Sequence, residues 1–226
     1  MDAASLTKDS LVTLAVSMCA RYSLTIIPDE LSRLFHATMG DLLPWPQHNI
    51  PPRTSVPIIR PEGGQRILES KVWGWIPSWS PKLLIINARG EEIRRKPMFQ
   101  EALADRRCLV PATGFFEWET VEGRKLPHHY APASGRPFAF AGLWQGDEVL
   151  ILTMPPNELV SQVHDRMPAM LGPAAQTKWL EEDQENALGA ALKAIPPEAL
   201  TTFLVTPKMN SVCYLGEDAT TPLAAG

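Results

Sequence analysis

Cysteine is scarce in this chain: Cys19, Cys108 and Cys213 are its three among 226 residues. An odd, widely spaced set does not describe a disulfide framework. No C-x-x-C pair occurs, and His128 and His129 are adjacent rather than one helical turn apart, so no zinc site of usual spacing is expected. Long apolar runs are missing too. None approaches the roughly 18 residues of a membrane span, and no membrane partner is expected. Basic charge is not in excess, with 21 Lys and Arg against 25 Asp and Glu and a formal net charge of -4. That excludes a protein coated in basic surface for bulk nucleic-acid binding, while a local basic groove stays open. Before the apolar residues 11–16 there is no net positive n-region, and Met18 is not the small residue a lipoprotein signal places before its cysteine. A reducing, cytoplasmic setting follows as the expectation.

Proline is abundant instead. Its 22 copies each fix φ and remove a donor, which predicts short strands and structured loops rather than a helical bundle. Hydrophobic residues at 45% and charged residues at 20% describe an ordinary globular chain of one domain. Residues 55–59, 66–74, 83–87, 108–111, 114–118, 138–144 and 149–153 read as strands, and Glu122-Gly123 and Gly146-Asp147 as hairpin turns. Helical patterns cover 29–37, 98–105, 173–181 and 185–194. The fold class is α+β, with one curved mixed sheet and peripheral helices. Residues 1–17 read as a leader outside the mature protein, 18–215 as the domain and 216–226 as a flexible tail.

The most informative stretch is Met18-Cys19 followed by Arg21-Tyr22. A cysteine exposed as the first residue carries a thiol of pKa about 8.5 and an α-amine of pKa about 7.7 to 8.0 on adjacent carbons. Both can add to one aldehyde, first as an imine and then as a five-membered thiazolidine. Glu117 lies in Gly114-Phe115-Phe116-Glu117-Trp118, where burial among aromatics would keep it protonated near neutrality and strand alternation would instead turn it to solvent. His164, in Val163-His164-Asp165-Arg166-Met167-Pro168, is suited to moving protons, though alone it also reads as a surface histidine beside an ion pair. Asn87-Ala88-Arg89 places an amide and a guanidinium on one side of a continuing strand. Trp73, Trp75 and Trp79, three of the seven tryptophans, share one Gly- and Pro-broken segment; at least one should be packing, and one on a loop would offer a stacking face to an unpaired base. Arg94-Arg95-Lys96 and Arg106-Arg107 are candidate phosphate contacts or solvated faces.

In this order these pieces resemble the SRAP family of abasic-site processing proteins. The resemblance rests on Met18-Cys19-x-Arg21-Tyr22, Asn49-Ile50-Pro51-Pro52, the segment from Trp73 to Trp79, Asn87-Ala88-Arg89, Cys108-Leu109-Val110-Pro111 through Trp118, and His164-Asp165-Arg166-Met167-Pro168, and spans Met18 to about Asn210. It implies a mostly antiparallel, barrel-like sheet and covalent capture of abasic sites in single-stranded DNA, with associated lyase and autopeptidase chemistry, by a monomer needing no cofactor or metal and joining the nucleoid during repair. By the resemblance, Cys19 is the crosslinking nucleophile and Asn87 holds the amine or a sugar hydroxyl. Glu117 acts on sugar opening and imine formation, and His164 on the ring-opened sugar. Arg21, Arg89 and Arg166 hold phosphates, while Pro52 and Trp79 wedge and stack at a kinked strand. Ala20 stands where the family has glycine. With residues 1–17 attached, the Cys19 nitrogen is an amide and cannot form an imine, so the working protein is expected to begin at Cys19. A cysteine hydrolase without crosslinking and a noncatalytic single-strand-binding module are the competing readings.

Overall fold

The computed structural model describes residues 13–14, 19–40 and 46–224. Apart from Thr13–Leu14, the expected leader lies outside the described residues, as do the last two residues of the expected tail. The first half of the chain gives β1 (Thr13–Leu14), β2 (Tyr22–Leu24), α1 (Pro28–Phe35), β3 (Ala37–Met39), β4 (Gln47–Ile50), β5 (Ser55–Glu62), β6 (Gln65–Trp73), β7 (Leu83–Leu84), β8 (Asn87–Arg89) and α2 (Pro97–Asp105). The second half gives β9 (Arg107–Ala112), β10 (Gly114–Val121), β11 (Arg124–Pro132), β12 (Phe138–Gln145), β13 (Glu148–Met154), β14 (Met167–Pro168), β15 (Met170–Leu171), α3 (Pro173–Glu181), α4 (Gln184–Ala191) and β16 (Leu200–Leu204).

Proline sets many of these boundaries. Pro28, Pro97 and Pro173 each open a helix, where the missing N–H would have had no intrahelical partner. The fourth helix starts differently: the Asp183 side chain accepts from the N–H groups of Glu185 and Asn186. The expected hairpin turns are present, with φ of 49° and 76° at Glu122 and Gly123 and 55° at Gly146. Such left-handed residues match the twist of the strands they join.

The fold is α+β, curved and largely antiparallel. Its strands divide between two principal sheets rather than forming the single one expected. The five-stranded sheet runs β16-β11-β10-β2-β4, and the nine-stranded sheet follows the path β14-β13-β12-β9-β5-β6-β3 with β8 and β15 at its side. Parallel pairing enters where β13 meets β8 and β6 and where β3 meets β6. Strand β11 escapes the sequence reading because Pro127 and Pro132 interrupt it; Pro127 lies one position past the β16 pairing, which spans His128 to Pro132, so its missing donor breaks no bond to that neighbour.

One large core fills the fold. Tyr22, Trp73, Phe115 and Phe140 form its aromatic centre, with Tyr22 edge-on to Trp73 at 5.3 Å and to Phe140 at 5.6 Å. Phe116, Val205, Met209 and Ala219 form a smaller cluster. Strand β10 therefore runs between two apolar layers, with Phe115 in the first and Phe116 in the second. Residues Glu217–Thr220, within the expected tail, form a 3-10 turn whose Ala219 is buried and whose Thr220 hydroxyl meets His48 Nδ1 at 2.8 Å.

Candidate active site

Cys19 enters β2 through a left-handed conformation, φ 44°, that a non-glycine residue rarely adopts. Its backbone N–H donates to Glu117 Oε1 at 3.1 Å, its Sγ lies 3.9 Å from the Arg166 carbonyl oxygen, and its own carbonyl accepts from Asn87 Nδ2 at 3.3 Å. Three remote segments thus converge on one residue. Burial, and then the Glu117 carboxylate beside it, push the Cys19 thiol well above its ordinary range; the Arg166 charge pulls the other way.

Glu117 is buried, not solvent-facing, because both faces of β10 are covered. Burial raises its carboxyl pKa, partly offset by His164 and by the hydrogen bond from Cys19. His164 Nε2 stands 3.8 Å from Glu117 Oε2. The other ring nitrogen, Nδ1, has a donor, the Arg166 N–H at 3.1 Å, and two acceptors, the Arg166 carbonyl at 3.2 Å and Asp165 Oδ1 at 3.3 Å. That ring position therefore has both a donor and acceptors within reach.

These groups open onto a cleft of about 950 Å³, walled by Pro51, Pro52, Arg53, Trp118 and Val212. Arg21 and Lys125 bring positive charge to it. Arg21 is largely buried, donating to Asn49 Oδ1 at 3.1 Å and the Ser211 carbonyl at 3.3 Å, with its guanidinium 4.9 Å from the centre of the Trp118 ring. Arg53 joins the Gly74 carbonyl to Glu148, and Glu148 also accepts from the Ile76 N–H at 3.0 Å, so one carboxylate ties the Pro52 turn to the tryptophan loop.

Asn87, Arg89, Trp79 and Arg166 do not line this cleft. Asn87 reaches Cys19 through the Cys19 carbonyl. Arg89 is exposed and pairs with Glu92 at 3.3 Å. Trp73 and Trp75 are packing residues, whereas Trp79 is 68% exposed on its loop. Arg166, expected on a phosphate, is buried. Both Glu91 carboxylate oxygens accept from its guanidinium, Nη2 to Oε2 at 2.9 Å, and Thr153 Oγ1 lies at 3.3 Å. The sequence reading did not single out Glu91, although it stands two residues beyond Asn87-Ala88-Arg89. Nor did it single out Arg53 or Lys125, since nothing in their neighbourhoods marks a cleft before the strands are paired. Among the described residues no cluster of three or more His, Cys, Asp or Glu could hold a metal ion, and no helix is long and apolar enough to cross a membrane.

A family model described as SOS response associated peptidase (SRAP) matches residues 18–212. The chain belongs to the SRAP family. It is 31% identical over 214 residues to the abasic site processing protein YoqW of Bacillus subtilis, covering 86% of this chain and 95% of that one. To the abasic site processing protein YedK of Escherichia coli it is 25% identical over 222 residues, covering 91% and 100%. A crystal structure of a Bacteroides thetaiotaomicron protein has the same fold, with a TM-score of 0.79 at 20% identity and coverage of 91% and 100%. The SRAP-matched span contains Cys19, Asn87, Glu117 and His164 together with the cleft around them.

Proposed function

We propose that this protein captures abasic sites in single-stranded DNA by forming a thiazolidine between Cys19, once it is the first residue, and the ring-opened sugar. One observation carries the reading. The nitrogen that would become the α-amine is 3.1 Å from a buried carboxylate whose partner, His164, stands on its other oxygen. Membership of a family whose relatives are named abasic site processing proteins supports it.

The reaction balances as amine, thiol and aldehyde going to thiazolidine and water. The freed amine adds to the sugar aldehyde carbon, and the resulting carbinolamine loses its hydroxyl as water with a proton from Glu117. The Cys19 sulfur then bonds to the same carbon while its proton passes to the imine nitrogen. A carboxyl kept protonated by burial serves the first step, and its conjugate base the second. His164 assists sugar opening and steadies the opened form. Loss of a C2′ proton from the imine, with departure of the 3′ phosphate, gives the competing lyase outcome. Asn87 orients Cys19 through its carbonyl. Arg21 and Arg89 contact phosphates, Pro52 wedges at the kink, and Trp79 stacks on a base. Arg166 could reach a phosphate only by giving up Glu91. The two curved, largely antiparallel sheets supply the rigid floor these groups need.

The same centre suits removal of the leader. The Met18–Cys19 bond leads into a residue held at φ 44°, and strain at a scissile junction favours cleavage there. The test uses protein beginning at Cys19, incubated with single-stranded DNA carrying an abasic site and run on a denaturing gel. A covalent band lost in Cys19→Ala supports the reading. Peptide hydrolysis without a band would favour the hydrolase, and a shift only under native conditions the binding module.

A further inference from the structure

We propose that Glu91 is a positioning residue for the reaction at Cys19, acting through Arg166; this rests on the reading that Cys19 captures an aldehyde. The backbone of Arg166 serves both reactive side chains. Its N–H and carbonyl are the 3.1 Å and 3.2 Å partners of His164 Nδ1, and the same carbonyl lies 3.9 Å from Cys19 Sγ. Where that backbone sits decides where the imidazole and the sulfur sit.

Two anchors fix it. On its C-terminal side β14 begins at Met167, which pairs with Met154 of β13. Toward the site, the anchor is the Arg166 side chain, enclosed and gripped by both oxygens of Glu91 and by Thr153. A two-pronged carboxylate–guanidinium pair fixes orientation as well as distance. Glu91 is itself placed by the turn after β8. Gly90 N–H donates to the Thr153 carbonyl at 2.9 Å, which lays that turn along β13. A side chain at Gly90 would meet Leu192 Cδ2 at 2.3 Å, so the Leu192 side chain packs directly over this turn. Without Glu91 the enclosed guanidinium loses its counter-charge and must move toward water. The Arg166 backbone then shifts, carrying the partners of His164 and Cys19 with it. Glu91 touches neither reacting atom, so its effect belongs to the rate of bond formation rather than to DNA affinity.

The test compares protein beginning at Cys19 as wild type, Glu91→Ala, Glu91→Gln and Arg166→Lys in single-turnover reactions with abasic single-stranded DNA. Ring nitrogen NMR of 15N-histidine samples accompanies it. In Glu91→Ala the crosslinking rate at saturating DNA should fall about ten- to a hundredfold. The half-saturating DNA concentration should stay within about twofold, and the His164 ring resonances should move. The Glu91→Ala and Arg166→Lys losses should not multiply in the double variant. Should Glu91→Ala fail to fold, Glu91→Gln keeps the volume and one acceptor and carries the same expectations at smaller size. A wild-type rate in the variants, a loss confined to affinity, or unmoved His164 resonances would overturn the proposal. If wild-type protein forms no crosslink, the crosslinking reading fails instead, and the His164 resonances still decide whether Glu91 positions that ring.

Discussion

The backbone nitrogen of Cys19 and the carboxylate of Glu117, 98 positions apart in the chain, lie 3.1 Å from one another. A peptide N–H on a buried carboxylate is an ordinary structural contact. In the proposed reaction the same geometry serves proton transfer, once that nitrogen is an amine.

Glu117→Gln keeps the shape and a hydrogen-bond acceptor but cannot exchange a proton. Crosslinking should slow by about 10² to 10⁴, the usual worth of a positioned acid or base. Binding of uncleaved single-stranded DNA, followed by fluorescence anisotropy, should be nearly unaltered. Equal loss of both would make Glu117 structural.

The same substitution should raise stability near neutrality. Burial lifts the Glu117 pKa above its ordinary value of 4.5, so the folded protein holds a proton that the unfolded chain has released. The contribution of that proton is full below the ordinary value and is lost as pH rises through the folded one. Above it, folding must accommodate a buried charge. Thermal melts of both proteins from pH 4 to 8 check this. Glu117→Gln should gain on wild type as pH rises, and a gap independent of pH would contradict it.

A histidine remote from the proposed chemistry gives the opposite sign. Burial, and secondarily His48, lowers the His129 pKa from 6.5 to about 4. Its Nε2 meets Ser23 Oγ at 3.1 Å while Phe116 and Phe203 enclose the ring. As pH falls from 6.5 towards 4, the unfolded chain takes up a proton that the fold refuses, and stability declines. The span corresponds to roughly 3 kcal/mol. Urea denaturation at intervals across that window should show His129→Gln losing less than wild type, although the variant starts lower because packing is lost.

How much of this was legible in the sequence differs residue by residue. The helix starts near Pro28 and at Pro173, a start within one residue of Pro97, and the turns at Glu122-Gly123 and Gly146-Asp147 were readable, because proline and glycine act through local backbone sterics. Cys19, Asn87, Glu117 and His164 could be named from local chemistry and from resemblance. Their convergence could not, since it depends on strand pairings such as Phe115 with Tyr22 and Ala88 with Leu152. The burial of Glu117 also escaped. Glu117 shares the Phe115 face of β10, and its burial depends on Cys19 and His164 arriving there from remote parts of the chain. The pairing of Arg166 was hidden for a related reason: an arginine in a polar loop looks available until Glu91 is seen to hold it. Gly114 was readable only as a strand-edge glycine. A side chain there would sit 2.2 Å from His129 Nε2, a constraint set by a strand that the sequence reading missed.

Trp79 permits the clearest separation of binding from folding. It is 68% exposed, whereas Trp75, four residues earlier, is 4% exposed and packs its ring 5.7 Å from Phe99. Replacing a buried tryptophan by alanine costs about 3 to 5 kcal/mol, so Trp75→Ala should melt far below wild type. Trp79→Ala should melt with wild type, because little surface leaves water at that position. If Trp79 stacks on a base, the variant should lose about 1 to 3 kcal/mol of affinity for single-stranded DNA, roughly 5- to 150-fold in Kd. The chemical step at saturating DNA should not change, since the indole lies outside the cleft that holds Cys19. Unaltered affinity would remove Trp79 from the binding surface, and a lowered melting temperature would return it to packing.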